Sequence, residues 1–207
     1  MKYTTTNVLI ACNALFFLAF FIPLLANKQI IDAIALKPAS ILQGKFLWTF
    51  LTSMFMHADL IHLFVNMVSL FFIGNLVEKL IGKRRYIGLY LISGLFAGMF
   101  FVLTAFLFNN NLNAYAVGAS GAIFGLGGVL MFLTPDLPVY LMFIPIPIKM
   151  KYAMPIMLLL LWILSFTAGL PIGNTAHLGG LIVGLFYGFY LRVKYKKKVL
   201  LMQRYFN

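Results

Sequence analysis

Polar residues with the chemistry of acyl transfer stand at the start of three long apolar runs in this sequence. Ser120 lies in a Gly-x-Ser-Gly stretch that opens one run, and His177 lies near the start of another. His62 and Asn66, near the start of a third run, are four residues apart, which places them on one face of a helix. A serine hydroxyl becomes a nucleophile when an imidazole takes its proton and hydrogen-bond donors stabilise the oxyanion. The pattern predicts this role for Ser120 with His177 as its base.

The oxyanion donors follow from position and residue type. Ser120 begins its helix, so its backbone N–H is one of the unsatisfied donors at the positive helix end. His62 and Asn66 both carry side-chain donors and suit an oxyanion hole. Without Ser120 and His177 we would favour a structural role for them, tying their span to its neighbours, and that interpretation stays open on their spacing alone.

Glycine spacing predicts that two of these runs pack closely. Small residues let membrane helices approach each other, and a serine in such a run is often only a packing residue. The glycines recur at helical spacing, at Gly121, Gly125 and Gly128 in one run and at Gly180, Gly184 and Gly188 in the other. Two such faces pressed together would bring the hydroxyl of Ser120 within about 2.6–3.2 Å of His177, the reach of a nucleophile to its base.

No acidic residue is expected at the same membrane depth as Ser120 and His177, where the third member of a catalytic triad would have to lie. Asp136 follows Ser120 by enough residues to lie about 24 Å deeper in the membrane, and Glu78 lies about 18 Å beyond Asn66 by the same helical rise. Asp59 is at the same membrane face as Ser120, but its position indicates a charge that stabilises a helix N-terminus. The sequence therefore predicts a Ser–His dyad.

The composition requires a membrane around these residues. The chain has 207 residues, 63% of them hydrophobic and 10% charged, with a mean hydropathy of +0.99. A soluble domain is excluded by these values, since globular chains are about 45–50% apolar and 25% charged. A crossing needs about 20 apolar residues, and the apolar runs predict six helices, near 7–26, 57–80, 86–108, 118–134, 153–169 and 173–192. We expect an all-α polytopic bundle forming one domain over 1–207.

The basic residues set the expected orientation. With alternating spans, 13 of the 16 Lys and Arg residues fall on one face of the membrane, and only Lys28, Lys37 and Lys45 fall on the other. This asymmetry predicts a multi-pass protein of the plasma membrane with both termini, including a basic tail over 193–207, in the cytoplasm. The net charge of +12 is then explained by positive-inside loops in contact with lipid rather than by nucleic acid.

Two connections differ from simple loops. The segment 27–56 is long and aromatic, and we expect it to lie in the headgroup region. The segment 135–147 contains four prolines and cannot continue a helix. The single Cys12 offers no disulfide, and no Cys/His spacing indicates a metal site, so no cofactor or metal is expected.

Taken together, the motifs resemble the rhomboid family of intramembrane serine proteases. The resemblance is carried by Gly-x-Ser-Gly around Ser120, by Ala-His-x-x-Gly-x-x-x-Gly around His177, and by His-x-x-x-x-His-x-x-x-Asn from His57 to Asn66. It covers essentially the whole chain as a six-span core with a large membrane-associated loop between the first two helices.

The resemblance implies roles for these residues. Ser120 would be the nucleophile and His177 the general base and acid, with His62, Asn66 and the Ser120 amide at the oxyanion. Four further positions would support the active site, namely Gly118, which leaves room near the oxyanion, Gly121 of the same motif, Phe124 and the structural residue His57. Glu78 resembles a structural acid. Span five and the loop 169–174 would form the gate and cap, and the substrates would be transmembrane proteins.

Two positions depart from the family pattern. Trp48 is followed by Thr49 where members often have Arg, and Phe124 stands where many have Tyr. Neither change removes a catalytic group, so we expect activity. The alternatives are a non-catalytic relative that binds membrane proteins, or a proton-coupled transporter that uses the intramembrane histidines.

Overall fold

The computed structural model describes residues 4–27, 29–141, 145–169 and 172–206. Lys2 and Lys28, which enter the charge asymmetry, and part of the predicted cap lie outside the described residues. The helices are α1 (Thr5–Ala26), α2 (Ile30–Ile34), α3 (Pro38–Leu42), α4 (Thr49–Thr52), α5 (Leu60–Ser69), α6 (Asn75–Ile81), α7 (Lys83–Leu107), α8 (Ser120–Leu133), α9 (Met150–Thr167), α10 (Asn174–Lys194) and α11 (Lys196–Phe206). A π-helical turn, Leu70–Gly74, joins α5 to α6, and strands β1 (Pro138–Tyr140) and β2 (Pro147–Lys149) pair antiparallel.

Within the described ranges, five helical stretches are long and apolar enough to cross a bilayer. They are Thr5–Leu24, Leu60–Ile81, Lys83–Leu107, Met150–Thr167 and Asn174–Lys194. Each agrees with one of the predicted spans to within a few residues. The prediction of an all-α polytopic membrane protein is confirmed.

The fourth predicted span, 118–134, is a shorter helix than a full crossing. α8 has 14 residues, and at 1.5 Å per residue it is about 21 Å long, against about 30 Å of hydrocarbon. It cannot start earlier because Gly118 has a φ of +117°, which an α-helix does not accept. It ends at Thr134, next to a proline. Eleven of its residues are buried, so α8 is enclosed by its neighbours.

Glu78 holds the first span against the second. The backbone N–H groups of Thr5 and Thr6 donate to its two carboxylate oxygens at 2.9 Å each, and the Thr6 hydroxyl donates to the same group at 2.9 Å. A carboxylate is favourable at the positive N-terminus of a helix. Glu78 thus has the structural position that the family resemblance implies.

The two unusual connections have structure of their own. The segment 27–56 contains the short helices α2, α3 and α4, and Trp48 Nε1 donates to the carbonyl of Ala33 at 2.9 Å. The proline-rich segment forms the β1–β2 hairpin, whose base is held by Asp136 bound to Lys149 and Lys151 at 3.1 and 2.9 Å. The basic tail is not a simple extension, because α11 buries Val199 and its Gln203 side chain donates to the carbonyl of Phe132.

Candidate active site

Glycine packing brings the helices that carry Ser120 and His177 together. A Cβ placed on Gly180 would fall on the carbonyl oxygen of Gly121, and one placed on Gly184 would fall on that of Gly125. The backbones of α8 and α10 therefore touch directly, as small residues permit in membrane helices. The predicted contact between the two glycine faces is confirmed.

At the end of this interface the hydroxyl of Ser120 meets an imidazole. Ser120 Oγ lies 2.8 Å from His177 Nε2, within the range of a nucleophile and its base. The His177 side chain is buried, and its Nδ1 atom has no hydrogen-bond partner among the described residues. No carboxylate of the described chain is bonded to it, which leaves a pair rather than a triad.

Phe124 fixes the plane of the His177 ring. The two rings are stacked, with centroids 4.7 Å apart and an interplanar angle of 15°. Phe124 is on α8, one turn after Ser120, so the helix that supplies the hydroxyl also positions the imidazole. The stacking that the resemblance implies at this position is present without a tyrosine hydroxyl.

His62 presents a hydrogen-bond donor to the same region. The backbone N–H of Ala58 donates to His62 Nδ1 at 3.3 Å. Because a neutral imidazole has one donor and one acceptor nitrogen, this bond assigns the proton to Nε2. Asp59, whose carboxylate accepts from the His62 backbone N–H at 2.7 Å, caps α5 and holds the first turn in place.

Gly118 leaves a small space between this donor and the nucleophile. A Cβ at Gly118 would lie 3.0 Å from His62 Nε2 and 3.7 Å from Ser120 Oγ. The space that a side chain would fill is thus bordered by an imidazole N–H and the reactive hydroxyl. The amide of Ser120 is also a helix N-terminal donor without an intrahelical acceptor, so an oxyanion placed here would have donors on two sides.

Asn66 lies one turn from His62 and is buried. Its Nδ2 donates to the carbonyl of His62 at 2.9 Å, which uses one of its two N–H groups. α5 packs against α8 in this part of the fold. The structure therefore brings His62 next to Gly118, two residues before Ser120, and Asn66 lies one turn farther along α5.

His57 lies just before α5 and packs against the ring of His62. Its side chain is fully buried, and its ring meets the His62 ring edge-on at 5.2 Å between centroids. This buried ring serves as a packing group against His62.

Backbone hydrogen bonds from the segment 27–56 fix the chain that leads into α8. Leu36 and Ala116 exchange both of their backbone hydrogen bonds, at 3.1 and 2.8 Å. The N–H of Gly118 donates to the carbonyl of Ser53 at 2.8 Å. Thr49, which replaces the family's Arg, is buried and donates its hydroxyl to the carbonyl of Phe46. The first loop thus sets the position of the nucleophile.

The sequence reasoning missed two supporting residues on α7. A Cβ on Gly121 would lie 2.5 Å from the Cβ of Ala97, and Gly125 is in the same relation to Ser93. These two small residues of α7 are four apart, and that spacing is the signal by which they could have been found. The nucleophile helix is therefore packed through small residues on two sides.

Comparison with known proteins identifies the family of the chain. The Rhomboid domain family model matches residues 44–194. RHOMBOID-like protein 5 of Arabidopsis thaliana is 34% identical over 150 residues, which cover 71% of this chain and 45% of the relative. RHOMBOID-like protein 2 of the same plant is 37% identical over 150 residues, 71% of this chain and 43% of the relative. Rhomboid protease GluP of Bacillus subtilis is 31% identical over 188 residues, 89% of this chain and 34% of the relative.

The chain spans less than half the length of the first of these curated relatives. The segment that the family model matches nevertheless runs from the later part of the first loop to the end of α10 and includes Ser120 and His177. Since the family model covers most of the sequence, this polytopic membrane protein belongs to the rhomboid family.

Proposed function

We propose that this protein is an intramembrane serine endopeptidase that hydrolyses a peptide bond in or near the transmembrane segment of other membrane proteins. The observation that carries the proposal is the 2.8 Å contact between Ser120 Oγ and His177 Nε2, in a protein whose relatives include a named rhomboid protease. A hydroxyl and an imidazole at this distance are the parts that acyl transfer requires.

The reaction proceeds in two halves. His177 Nε2 takes the proton of Ser120 as Oγ bonds to the scissile carbonyl carbon, and the oxyanion forms beside Gly118. The His62 Nε2–H, the Ser120 amide and the free N–H of Asn66 stabilise it. His177 then protonates the leaving nitrogen as the C–N bond breaks. Water, deprotonated by His177, cleaves the acyl ester and restores the serine hydroxyl.

The substrate must reach this site as extended chain. A peptide bond within a helix has its carbonyl hydrogen-bonded, so the substrate helix unwinds locally, more readily where it has weak helix formers. The burial of α9 supports entry at its far end, because its buried residues, Met150, Ala153 and Met154, are all in the first two turns. The later turns, together with the loop 169–174, act as the gate and cap.

The same proposal includes topology and location. We place both termini in the cytoplasm of a plasma-membrane protein, because the charged loops concentrate on one face. Ser120 then lies in the outer part of the bilayer, where α8 is short enough to leave it below the surface yet accessible to water. Transmembrane protein substrates and lipids are the partners, and the whole chain 1–207 acts as one domain.

The decisive test is labelling of purified protein with a fluorophosphonate, followed by cleavage of single-span membrane proteins. Ser120→Ala and His177→Ala are expected to abolish labelling. The matched control is Ser40→Ala, which removes a half-buried hydroxyl from α3, outside the site, and is expected to label like wild type. Equal labelling of wild type and Ser120→Ala rejects the nucleophile, and a folded wild type that is not labelled at all favours a binding role.

A further inference from the structure

A groove runs along the lipid-facing side of the bundle between α7 and α10, away from the candidate active site. It has a volume of about 490 Å³ and is lined by Phe96, Ile182, Val183, Phe186, Tyr187 and Tyr190. From Ile182 to Tyr190 it extends about 12 Å along the axis of α10. Its walls are apolar except for the tyrosine hydroxyls at one end, the end at which α10 is followed by α11.

Two cations meet at that end. Arg85 Nη2 donates to the hydroxyl of Tyr195 at 2.9 Å, and Lys194 Nζ donates to the hydroxyl of Tyr190 at 2.6 Å. Both cations also lie over the ring of Tyr195, at 5.2 Å for Arg85 Cζ and 5.9 Å for Lys194 Nζ. A single aromatic ring thus holds two like charges near each other, where they repel.

No acidic side chain compensates these two charges. The sequence contains four acidic residues, all of them in the described part of the chain and all bonded elsewhere. They are Asp32 with Tyr115 and Lys37, Asp59 at the start of α5, Glu78 at the start of α1, and Asp136 with Lys149 and Lys151. Among the described residues, no acidic side chain is therefore bonded to Arg85 or Lys194.

We infer that this groove is a binding site for an anionic phospholipid, with the phosphate between Arg85 and Lys194 and an acyl chain along the apolar walls. The charge pattern supports this occupant: uncompensated cations sit at one end and only apolar side chains lie beyond them. The inference is independent of the proposed protease activity. Under the proposed topology, the lipid belongs to the cytoplasmic leaflet, the leaflet in which basic residues meet anionic headgroups.

The tyrosines complete the headgroup site. The hydroxyls of Tyr190 and Tyr195 each accept a hydrogen bond from a cation, so each retains its own proton to donate. A phosphate oxygen placed between the cations accepts these protons together with charge-assisted bonds from the guanidinium and the ammonium. A zwitterionic headgroup gains less, because its own ammonium group meets the same two cations.

Native mass spectrometry of the full chain measures the binding. Phosphatidylglycerol and phosphatidylcholine with the same acyl chains are titrated onto the protein in detergent. Wild type is expected to bind one phosphatidylglycerol at least about tenfold more tightly than phosphatidylcholine. Each cation near an anionic headgroup contributes about fivefold, so the double variant Arg85→Gln/Lys194→Gln should lose about 25-fold. The charge-preserving variant Arg85→Lys/Lys194→Arg should retain most of the affinity.

The matched control removes two charges from the exposed α11 surface, as Lys197→Gln/Lys198→Gln, and should lose less than about threefold. A second variant tests the acyl chain: Ile182→Trp fills the groove without touching a charge and should lose binding about tenfold. Glycerol phosphate, which has no acyl chain, should not compete at equal concentration. Melting temperatures in lipid-free detergent confirm that the variants are folded.

Three results would overturn the inference. Equal losses in the two glutamine double variants would mean that only overall charge attracts the lipid. Undiminished binding to Ile182→Trp would exclude the groove. Competition by glycerol phosphate as strong as that by the lipid would identify a free-phosphate site instead.

Discussion

Replacement of Gly180 by alanine is expected to disable the dyad without removing any catalytic group. The new Cβ would overlap the carbonyl oxygen of Gly121, the residue after the nucleophile. The distance between the new Cβ and this oxygen would be roughly 1 Å shorter than the closest contacts that Cβ atoms make in proteins. A backbone oxygen in a packed helix has no other conformation in which to avoid the clash, so the two helices must separate. Separating α8 from α10 by that amount lengthens the 2.8 Å bond between Ser120 and His177 to about 3.8 Å, beyond hydrogen-bond range.

The expected magnitudes follow from this displacement. A 1 Å misplacement of reacting groups costs about 10²-fold in rate, and overpacking destabilises by about 1–3 kcal/mol. The assay is the rate of fluorophosphonate labelling in detergent, with the melting temperature of each variant measured in parallel. Gly180→Ala should be folded, should melt at a lower temperature than wild type, and should label about a hundredfold more slowly.

Two other glycines provide matched controls. A Cβ on Gly88 meets nothing within 4 Å, so Gly88→Ala should label and melt like wild type. Gly188 lies on the same interface as Gly180 but farther from the dyad, and its Cβ would be 3.0 Å from the Cα of Val129. Gly188→Ala should therefore lose less activity than Gly180→Ala. The reasoning is refuted if folded Gly180→Ala labels at the wild-type rate, or if Gly188→Ala is the more damaging change.

Three further predictions concern other contacts. Phe124→Leu removes the ring stacked on His177, a contact worth about 0.5–1.5 kcal/mol, and should slow labelling roughly 3- to 10-fold; an unchanged rate would contradict a positioning role. Glu78→Gln weakens the charged hydrogen bonds at the start of α1, worth about 1.5–3 kcal/mol each, and should lower the melting temperature while labelling well below it stays normal. If Glu78→Gln lost labelling but kept its melting temperature, Glu78 would have a role in the reaction rather than in stability. The hydrogen bond from Lys151 lowers the pKa of Asp136, so the ion pair that holds the β1–β2 hairpin is complete at neutral pH and is lost as the pH falls through that lowered value. Hydrogen exchange of the hairpin, corrected for its intrinsic pH dependence, should therefore become faster in acid, and Asp136→Asn should exchange fast already at neutral pH; equal protection in both proteins would argue against the ion pair.

The sequence predicts the spans and the meeting of Ser120 with His177 because both depend on patterns along a helix. Apolar runs of about 20 residues indicate a helix that crosses the bilayer, because that length matches the thickness of the hydrocarbon core. Glycines at every third or fourth position indicate a helix face that touches another backbone. His177 and Ser120 lie at the same end of two such faces. When the two faces pack against each other, these two residues are therefore brought into contact.

Other parts of the site depend on contacts between distant segments, which residue spacing does not encode. The tautomer of His62 is set by the backbone N–H of Ala58, and the position of Gly118 by the carbonyl of Ser53. The prolines of 135–147 exclude a helix but do not specify the hairpin that forms. The basic tail resembles a simple anchor because its docking on α8 depends on tertiary contacts, the burial of Val199 and the hydrogen bond from Gln203, which its basic composition does not indicate.

The short length of α8 also affects how the protein is inserted into the membrane. A segment of 14 residues is shorter than the stretch that partitions by itself into the bilayer during synthesis. Its glycine-rich surface is matched to partner backbones rather than to acyl chains. The nucleophile helix therefore enters its final position together with α10, a segment synthesised later, and the reactive serine is assembled only after α10 has been made.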